Sequence, residues 1–213
     1  MPVPTVAVVG AGAAGLTAMK AMLDAGVDVL AFEKGDRVGG LWVMDNTSGL
    51  SPAYASLHLN TSKGRTQFAD FPMPGEWEDY PAATKVASYL AAYADEFGLT
   101  DHIHFGSSVE RVEKVVDADT GTQFWEIESS GTDGSVTVHH ADAVVVANGH
   151  NWDPKWPSPT YPGTFAGTQM HAHDYRSPEA FRGKRVLVVG MGNSAMDIAV
   201  DASHVAHDVL LSA

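Results

Sequence analysis

With 213 residues, 45% of them hydrophobic, the chain is long enough to bury one large core or two small ones. Its 13 Lys and Arg against 26 Asp and Glu leave a formal net charge of −13 with no long basic run, which argues against nucleic acid and anionic membrane surfaces as partners. Cysteine is absent, which excludes disulfides, thiol redox pairs and thiolate metal sites; with no apolar run of roughly 18 residues and no leader-like N-terminus, a soluble cytoplasmic protein is expected.

Thr5–Val9 is an apolar run that predicts a strand, followed by a glycine-rich turn and a helix over Ala13–Ala25. A second strand ends at Glu33. Residues Gly35–Pro81 are rich in Gly, Pro, Ser and aromatics without a sustained period, which is long for a loop that has no function. Val86, Leu90, Tyr93 and Phe97 recur at helical spacing and predict a helix over Ala82–Phe97, stopped by Gly98. Ser108–Val116, Gln123–Glu128 and Val136–His139 predict short antiparallel strands, with turns at Gly121 and across Ser129–Ser135. Ala141–Ala147, apolar apart from Asp142, predicts a buried parallel strand. Four prolines and two tryptophans in Asn148–Pro162 mark a domain boundary. The chain then repeats its beginning: Val186–Ala213 aligns without a gap on Val6–Glu33, setting Gly190, Gly192 and Ala195 opposite Gly10, Gly12 and Gly15. Strand–helix alternation with a small antiparallel insert predicts an α/β, doubly wound Rossmann-type domain, followed by the start of a second one.

The first repeat predicts a dinucleotide site. Gly10 permits a tight turn, Gly12 lets the backbone approach a pyrophosphate, and Gly15 lets the helix pack closely on the strand. The helix N-terminus at Ala13 and Ala14 offers N–H groups to phosphate, and Glu33 can accept hydrogen bonds from both ribose hydroxyls. Gly39-Gly40-Leu41-Trp42 either lies along the pyrophosphate or is a turn with Trp42 packed as core. In the second repeat, Asn193 and Ser194 sit where they can cap the helix or meet phosphate. Ala213, opposite Glu33, supplies no carboxylate, which favours a 2′-phosphorylated nucleotide. With only two strands after Val186, the sequence reads as part of a longer protein, whose isolated form is expected to fold poorly with Val188, Val189, Val209, Leu210 and Leu211 partly exposed.

Phe165-Ala-Gly167-Thr-Gln-Met-His171-Ala-His-Asp-Tyr175 matches the FxGxxxHxxxY fingerprint of the flavin-containing monooxygenase family, which the chain resembles over essentially its whole length. The glycines with Glu33, Gly39–Trp42, Asn60-Thr-Ser-Lys63, Asp70-Phe-Pro-Met-Pro74 and Gly190-x-Gly-Asn-Ser-Ala195 match too. A departure is Ala147-Asn148-Gly149, where the family commonly has Ala-Thr-Gly. The resemblance implies an FAD-binding domain over 1–150 that lacks its C-terminal segment, a linker over 151–183 that carries the fingerprint, and the beginning of an NADPH domain over 184–213. It implies FAD contacts from Gly10, Ala11, Gly12, Ala13, Ala14, Gly15, Glu33, Lys34, Gly40, Leu41, Trp42, Leu59, Thr61, Val109 and Gly149, and NADPH contacts from Gly192, Asn193, Ser194 and Ala195. Asn60 is the implied active-site residue, between flavin and nicotinamide; an asparagine in a turn is otherwise most often satisfied by backbone.

The implied reaction oxygenates a small molecule with a soft nitrogen or sulfur centre, an amine or sulfide, using O2, FAD and NADPH through a flavin C4a-hydroperoxide. Tyr175 favours that branch over the Baeyer–Villiger enzymes, whose fingerprint usually ends in Trp. A catalytically inactive nucleotide-binding fragment is the reading from a different class, and the lack of cysteine argues against a disulfide reductase by removing its redox pair. No metal is expected; His139-His140 and His171-x-His173 read as strand-end and linker residues. A homo-oligomer is compatible with the sequence.

Overall fold

The computed structural model describes residues 3–212. In chain order the strands are β1 (Thr5–Val9), β2 (Asp28–Phe32), β3 (Ile103–His104), β4 (Ser107–Val116), β5 (Gln123–Gly131), β6 (Val136–Ala141), β7 (Ala143–Val146), β8 (Arg185–Val189) and β9 (Asp208–Ser212). The helices are α1 (Ala13–Asp24), α2 (Lys63–Thr66), α3 (Ala83–Glu96) and α4 (Asn193–Ser203), with short 3-10 turns between. The chain divides into two compact units, Met1–Leu50 with Thr84–His150 and Ser51–Ala83 with Asn151–Ala213. Residues 51–83, which the sequence pattern puts with the first domain, thus cluster with the second repeat.

The first unit holds a four-stranded parallel sheet in the order β3-β2-β1-β7. Central β1 is short and apolar because both of its faces are covered, and Ala7 and Val8 are fully buried. α1 buries Gly15, Leu16 and Met19 on one stripe. β4, β5 and β6 form an antiparallel meander whose Ile127 and Ala141 pack with Ala7 and Phe32 of the parallel sheet. Its second turn is tighter than the Ser129–Ser135 expected, because β5 continues to Gly131 and the chain reverses through Gly134 at φ +80°. β7 is parallel as expected but not buried: it is an edge strand, and Val146 is 71% exposed. An apolar run does not distinguish an edge strand from a central one.

The second unit holds β8 and β9, a parallel pair joined by α4. Val188 and Val209 are half-buried, and Val189, Leu210 and Leu211 are exposed, as the sequence led us to expect. Its core gathers Tyr54, Tyr175 and Ile198, flanked by Leu57, Ala172, Phe181 and Val188. Among the described residues no helix is long and apolar enough to cross a membrane.

Candidate functional site

The β1–α1 turn fits tightly around its own backbone. Gly10 has φ +103°, a conformation that side chains rarely adopt, and its N–H donates to the Phe32 carbonyl at 2.8 Å. A Cβ there would lie 2.6 Å from the Ala147 carbonyl oxygen, and one on Gly15 would lie 1.8 Å from the Gly10 carbonyl oxygen. Gly12 is different. It caps α1 in an extended conformation, and a Cβ on it would meet nothing closer than the Gly40 Cα at 3.6 Å. The protein's own packing therefore does not require glycine at position 12. The space beside its Cα borders a helix N-terminus that no side chain caps, which suits a phosphate.

The Gly39–Trp42 loop lies against this turn. The Gly39 N–H donates to the Ala11 carbonyl at 3.0 Å, and a Cβ on Gly40 would sit 3.0 Å from the Gly12 Cα. Gly40–Trp42 forms a 3-10 turn with Leu41 exposed and Trp42 half-buried, so Trp42 is neither sealed in the core nor fully free. Two glycine backbones in van der Waals contact form one wall of the candidate nucleotide groove.

Glu33 is buried directly after β2. Its Oε2 accepts the Ala11 N–H and its Oε1 the Gly35 N–H, each at 2.8 Å. The carboxylate expected to await ribose hydroxyls is thus already wired into the glycine turn. Each oxygen retains a second acceptor site, so ribose hydroxyls can still be received. Lys34 is exposed beside it. Glu110 is held below the ordinary carboxylate range by the Ser130 and Ser108 hydroxyls and, more weakly, by the Lys34 charge. Val109 packs its side chain into the Ile127 cluster, where the β4–β5 register shifts, leaving its backbone as the group able to meet a nucleotide. Gly149, exposed at φ +71°, follows the Ala147 that touches Gly10.

Leu59, Asn60 and Thr61 belong to the second unit. Leu59 is buried and its N–H donates to the Pro81 carbonyl, while Asn60 is exposed. The Thr61 hydroxyl bonds the Thr66 hydroxyl at 2.7 Å. Lys63, two residues on, has a purpose that the motif alone did not reveal: its ammonium donates to the carbonyls of Pro74, Gly75 and Trp77 and so holds the 74–79 loop.

At the second turn Gly190 again has a positive φ, +117°, and Gly192 is the N-cap of α4. Neither Asn193 nor Ser194 caps the helix, contrary to one reading of the sequence: both already lie in its first turn, and the cap position is a glycine without a side chain. Both side chains are exposed, Ala195 is half-buried, and a Cβ on Gly192 would meet nothing within 4 Å. Ala213, where the ribose acid would fall, lies outside the described residues.

The fingerprint's last residue is the least exposed aromatic of the second unit's core. Tyr175 is 1% exposed, stacks on Phe181 with ring centroids 5.7 Å apart, and donates its hydroxyl to Asp201 of α4 at 2.7 Å. Tyr54 donates likewise to Asp197 at 2.6 Å. Burial first, and then these carboxylates, hold both phenols well above their ordinary range, so both remain donors at neutral pH. Sequence reasoning missed this network, although acids four residues apart on a helix of the second repeat were its available signal. His171 accepts the His173 N–H on its Nδ1 and caps a 3-10 turn, in keeping with a linker role. His139 packs against both Phe32 and His104, which also stack on each other, in the first unit.

Comparison with known proteins follows the same lines. The family described as flavin-binding monooxygenase-like matches residues 4–213. Flavin-containing monooxygenase 5 of Rattus norvegicus is 39% identical over 211 residues, 97% of this chain and 39% of the rat protein. The chain therefore spans about two fifths of the length of such curated relatives. The structure of S-allyl-L-cysteine S-oxygenase from Allium sativum superposes with a TM-score of 0.86 at 30% identity, covering 99% of this chain and 51% of that one. A cyclohexanone monooxygenase mutant from Rhodococcus sp. Phi1, bound to NADP+, superposes with a TM-score of 0.72 at 25% identity, covering 99% and 38%.

Proposed function

Because this chain belongs to the flavin-binding monooxygenase-like family, we propose that it carries the FAD turn and the first part of the NADPH site of an enzyme that oxygenates soft nitrogen or sulfur centres. The overall reaction consumes a sulfide or amine, O2, NADPH and a proton, and yields the oxide, NADP+ and water. The observation that carries the reading is the open space at Gly12, beside an uncapped helix N-terminus, where the protein's own packing does not require glycine.

In this reading the N–H groups of Ala13, Ala14 and Gly15 face the FAD pyrophosphate, with Gly12 leaving room for it. Glu33 orients the Ala11 N–H and receives the adenosine ribose. Gly40, Leu41 and Trp42 cover the pyrophosphate and exclude water from it. Lys34, Val109 and Gly149 border the same cofactor, and Leu59 and Thr61 fix the backbone that presents Asn60. The backbone of Gly192, Asn193, Ser194 and Ala195 receives the NADPH pyrophosphate. When bound, FAD supplies hydride acceptance from NADPH and activation of O2. Asn60, whose exposed amide can both donate and accept, would hydrogen-bond the flavin and the nicotinamide and so help to hold them.

The full-length protein tests this directly. It should purify with FAD, consume NADPH and convert an aryl methyl sulfide to the sulfoxide. Lactone from a cyclic ketone, without sulfoxide, would select the Baeyer–Villiger reading, and failure to retain flavin would select the inactive nucleotide-binding one. Asn60→Ala should be reduced by NADPH at the parent rate but release several-fold more hydrogen peroxide per NADPH; unchanged peroxide release would remove Asn60 from the active site.

A further inference from the structure

Two segments far apart in sequence meet on one face of α4. Asp197 and Asp201 are four residues apart and therefore on the same side of the helix, beside buried Ile198 and Ala202. Asp197 accepts from Tyr54. The Oδ2 atom of Asp201 accepts from both Tyr175 and Ser56. The two donor segments are themselves tied: the Ala55 N–H donates to the Arg176 carbonyl at 2.8 Å, and the Arg176 guanidinium to the Ser51 carbonyl at 3.0 Å. The Tyr54 and Tyr175 rings pack 5.5 Å apart between them. Only a few residues beyond Ser56, the same segment is fixed again through the Leu59 N–H on Pro81, immediately before Asn60.

We infer that Asp201, held by Tyr175 and Ser56, is a positioning residue that sets the second nucleotide turn at the head of α4 relative to the Asn60 segment. This rests on the reading of Gly192–Ala195 as the NADPH turn. Charge-assisted hydrogen bonds are short and directional, and a rigid helix carries a displacement of its second and third turns to its N-terminus. The three hydroxyls donate to ionised acceptors in a half-buried setting, where losing the acceptor leaves donors unsatisfied. The Asp201 Oδ2 is taken up by the Tyr175 and Ser56 hydroxyls, so it acts through the position of α4. Its effect should appear chiefly in the affinity for the second nucleotide, since the Gly12 turn and Glu33, the main proposed FAD contacts, belong to the other unit.

The test uses the FAD-loaded full-length protein and its variants Tyr175→Phe, Asp201→Ala and Asp201→Asn, with NADP+ titrated against the flavin absorbance. We expect FAD content equal to the parent, NADP+ binding about tenfold weaker in Tyr175→Phe and at least as much weaker in Asp201→Ala, and a raised KM for NADPH with little change in kcat, the tenfold being the factor expected for the one charge-assisted hydrogen bond that Tyr175→Phe removes. Asp201→Asn, which keeps a carbonyl acceptor, should recover part of the loss. Tyr175→Phe combined with Asp201→Ala should be no worse than Asp201→Ala alone. If the parent binds NADP+ and the variants bind it within twofold, the network only stabilises the fold and the inference is overturned, whatever happens to Tm. If the parent itself does not bind NADP+, the nucleotide assignment of the second turn fails and this inference with it. Tyr175→Phe keeps the buried ring, so the test does not depend on Asp201→Ala folding.

Discussion

At Gly15 a methyl group has nowhere to go, since it would lie 1.8 Å from the Gly10 carbonyl oxygen, whereas at Gly12 its nearest neighbour is 3.6 Å away. The two positions should therefore fail differently. Gly15→Ala should destabilise the protein by about 3 kcal/mol, toward the upper end of overpacking costs, as read from the denaturant midpoint, and should lose flavin as a consequence. Gly12→Ala should keep the stability of the flavin-free protein within about 1 kcal/mol, because its φ of −79° suits alanine and only a modest capping preference is lost, yet its flavin content should drop. Equal stability losses in the two variants would mean that Gly12 also serves packing. The sequence displayed both glycines in the same motif; the need at Gly15 follows from the Gly10 carbonyl inside that motif, whereas the space left at Gly12 depends on the approach of Gly40, which no local pattern encodes.

Among the elements, short apolar strands and the α3 stripe were legible because periodicity reports burial directly. Partners distant in sequence were not. Lys63 looks like a motif lysine available for a ligand, yet it spends its three donors on the carbonyls of Pro74, Gly75 and Trp77. Lys63→Met should cost about 2 kcal/mol and open the 74–79 loop to protease, because at this half-buried site water can replace most of the three hydrogen bonds and the net loss is about that of one hydrogen bond to a charged group. A variant with parent-like cleavage in this loop would show that Lys63 is not its clasp. The edge position of β7 and the pairing of Tyr54 with Asp197 were hidden for the same reason: strand order and contacts across 143 residues are tertiary facts. The repeat did reveal two glycine turns of like geometry, since each has a glycine at positive φ, Gly10 and Gly190.

For the molecule as a whole, the shifted groups bound the pH range of stability. His139 is depressed from 6.5, mainly by burial and then by the charges of His104 and His140, so the fold favours its neutral form. That stability is complete above pH 6.5 and is lost as the pH falls below it. Tyr54 and Tyr175 are raised above 10.0, mainly by burial and then by their aspartates, so their contribution is complete below pH 10 and is lost as the pH rises further. Carboxylates such as Asp117 and Glu179, exposed and already lowered, act only below about pH 4. Stability measured by denaturant should therefore form a plateau between about pH 7 and 10. His139→Gln should flatten the acid shoulder and Tyr175→Phe should make the alkaline slope shallower by one proton; slopes unchanged in both would refute the assignment. The division into two units has a further consequence, for how the chain is made. Each unit is assembled from two separate stretches, interleaved along the sequence. On a ribosome that adds 5 to 20 residues per second, Tyr54 emerges on the order of ten seconds before Asp197, its partner 143 residues downstream, can exist. Through that interval the 51–83 stretch, with Tyr54 and Leu57 still uncovered, is a natural client for a chaperone that shields nascent chains.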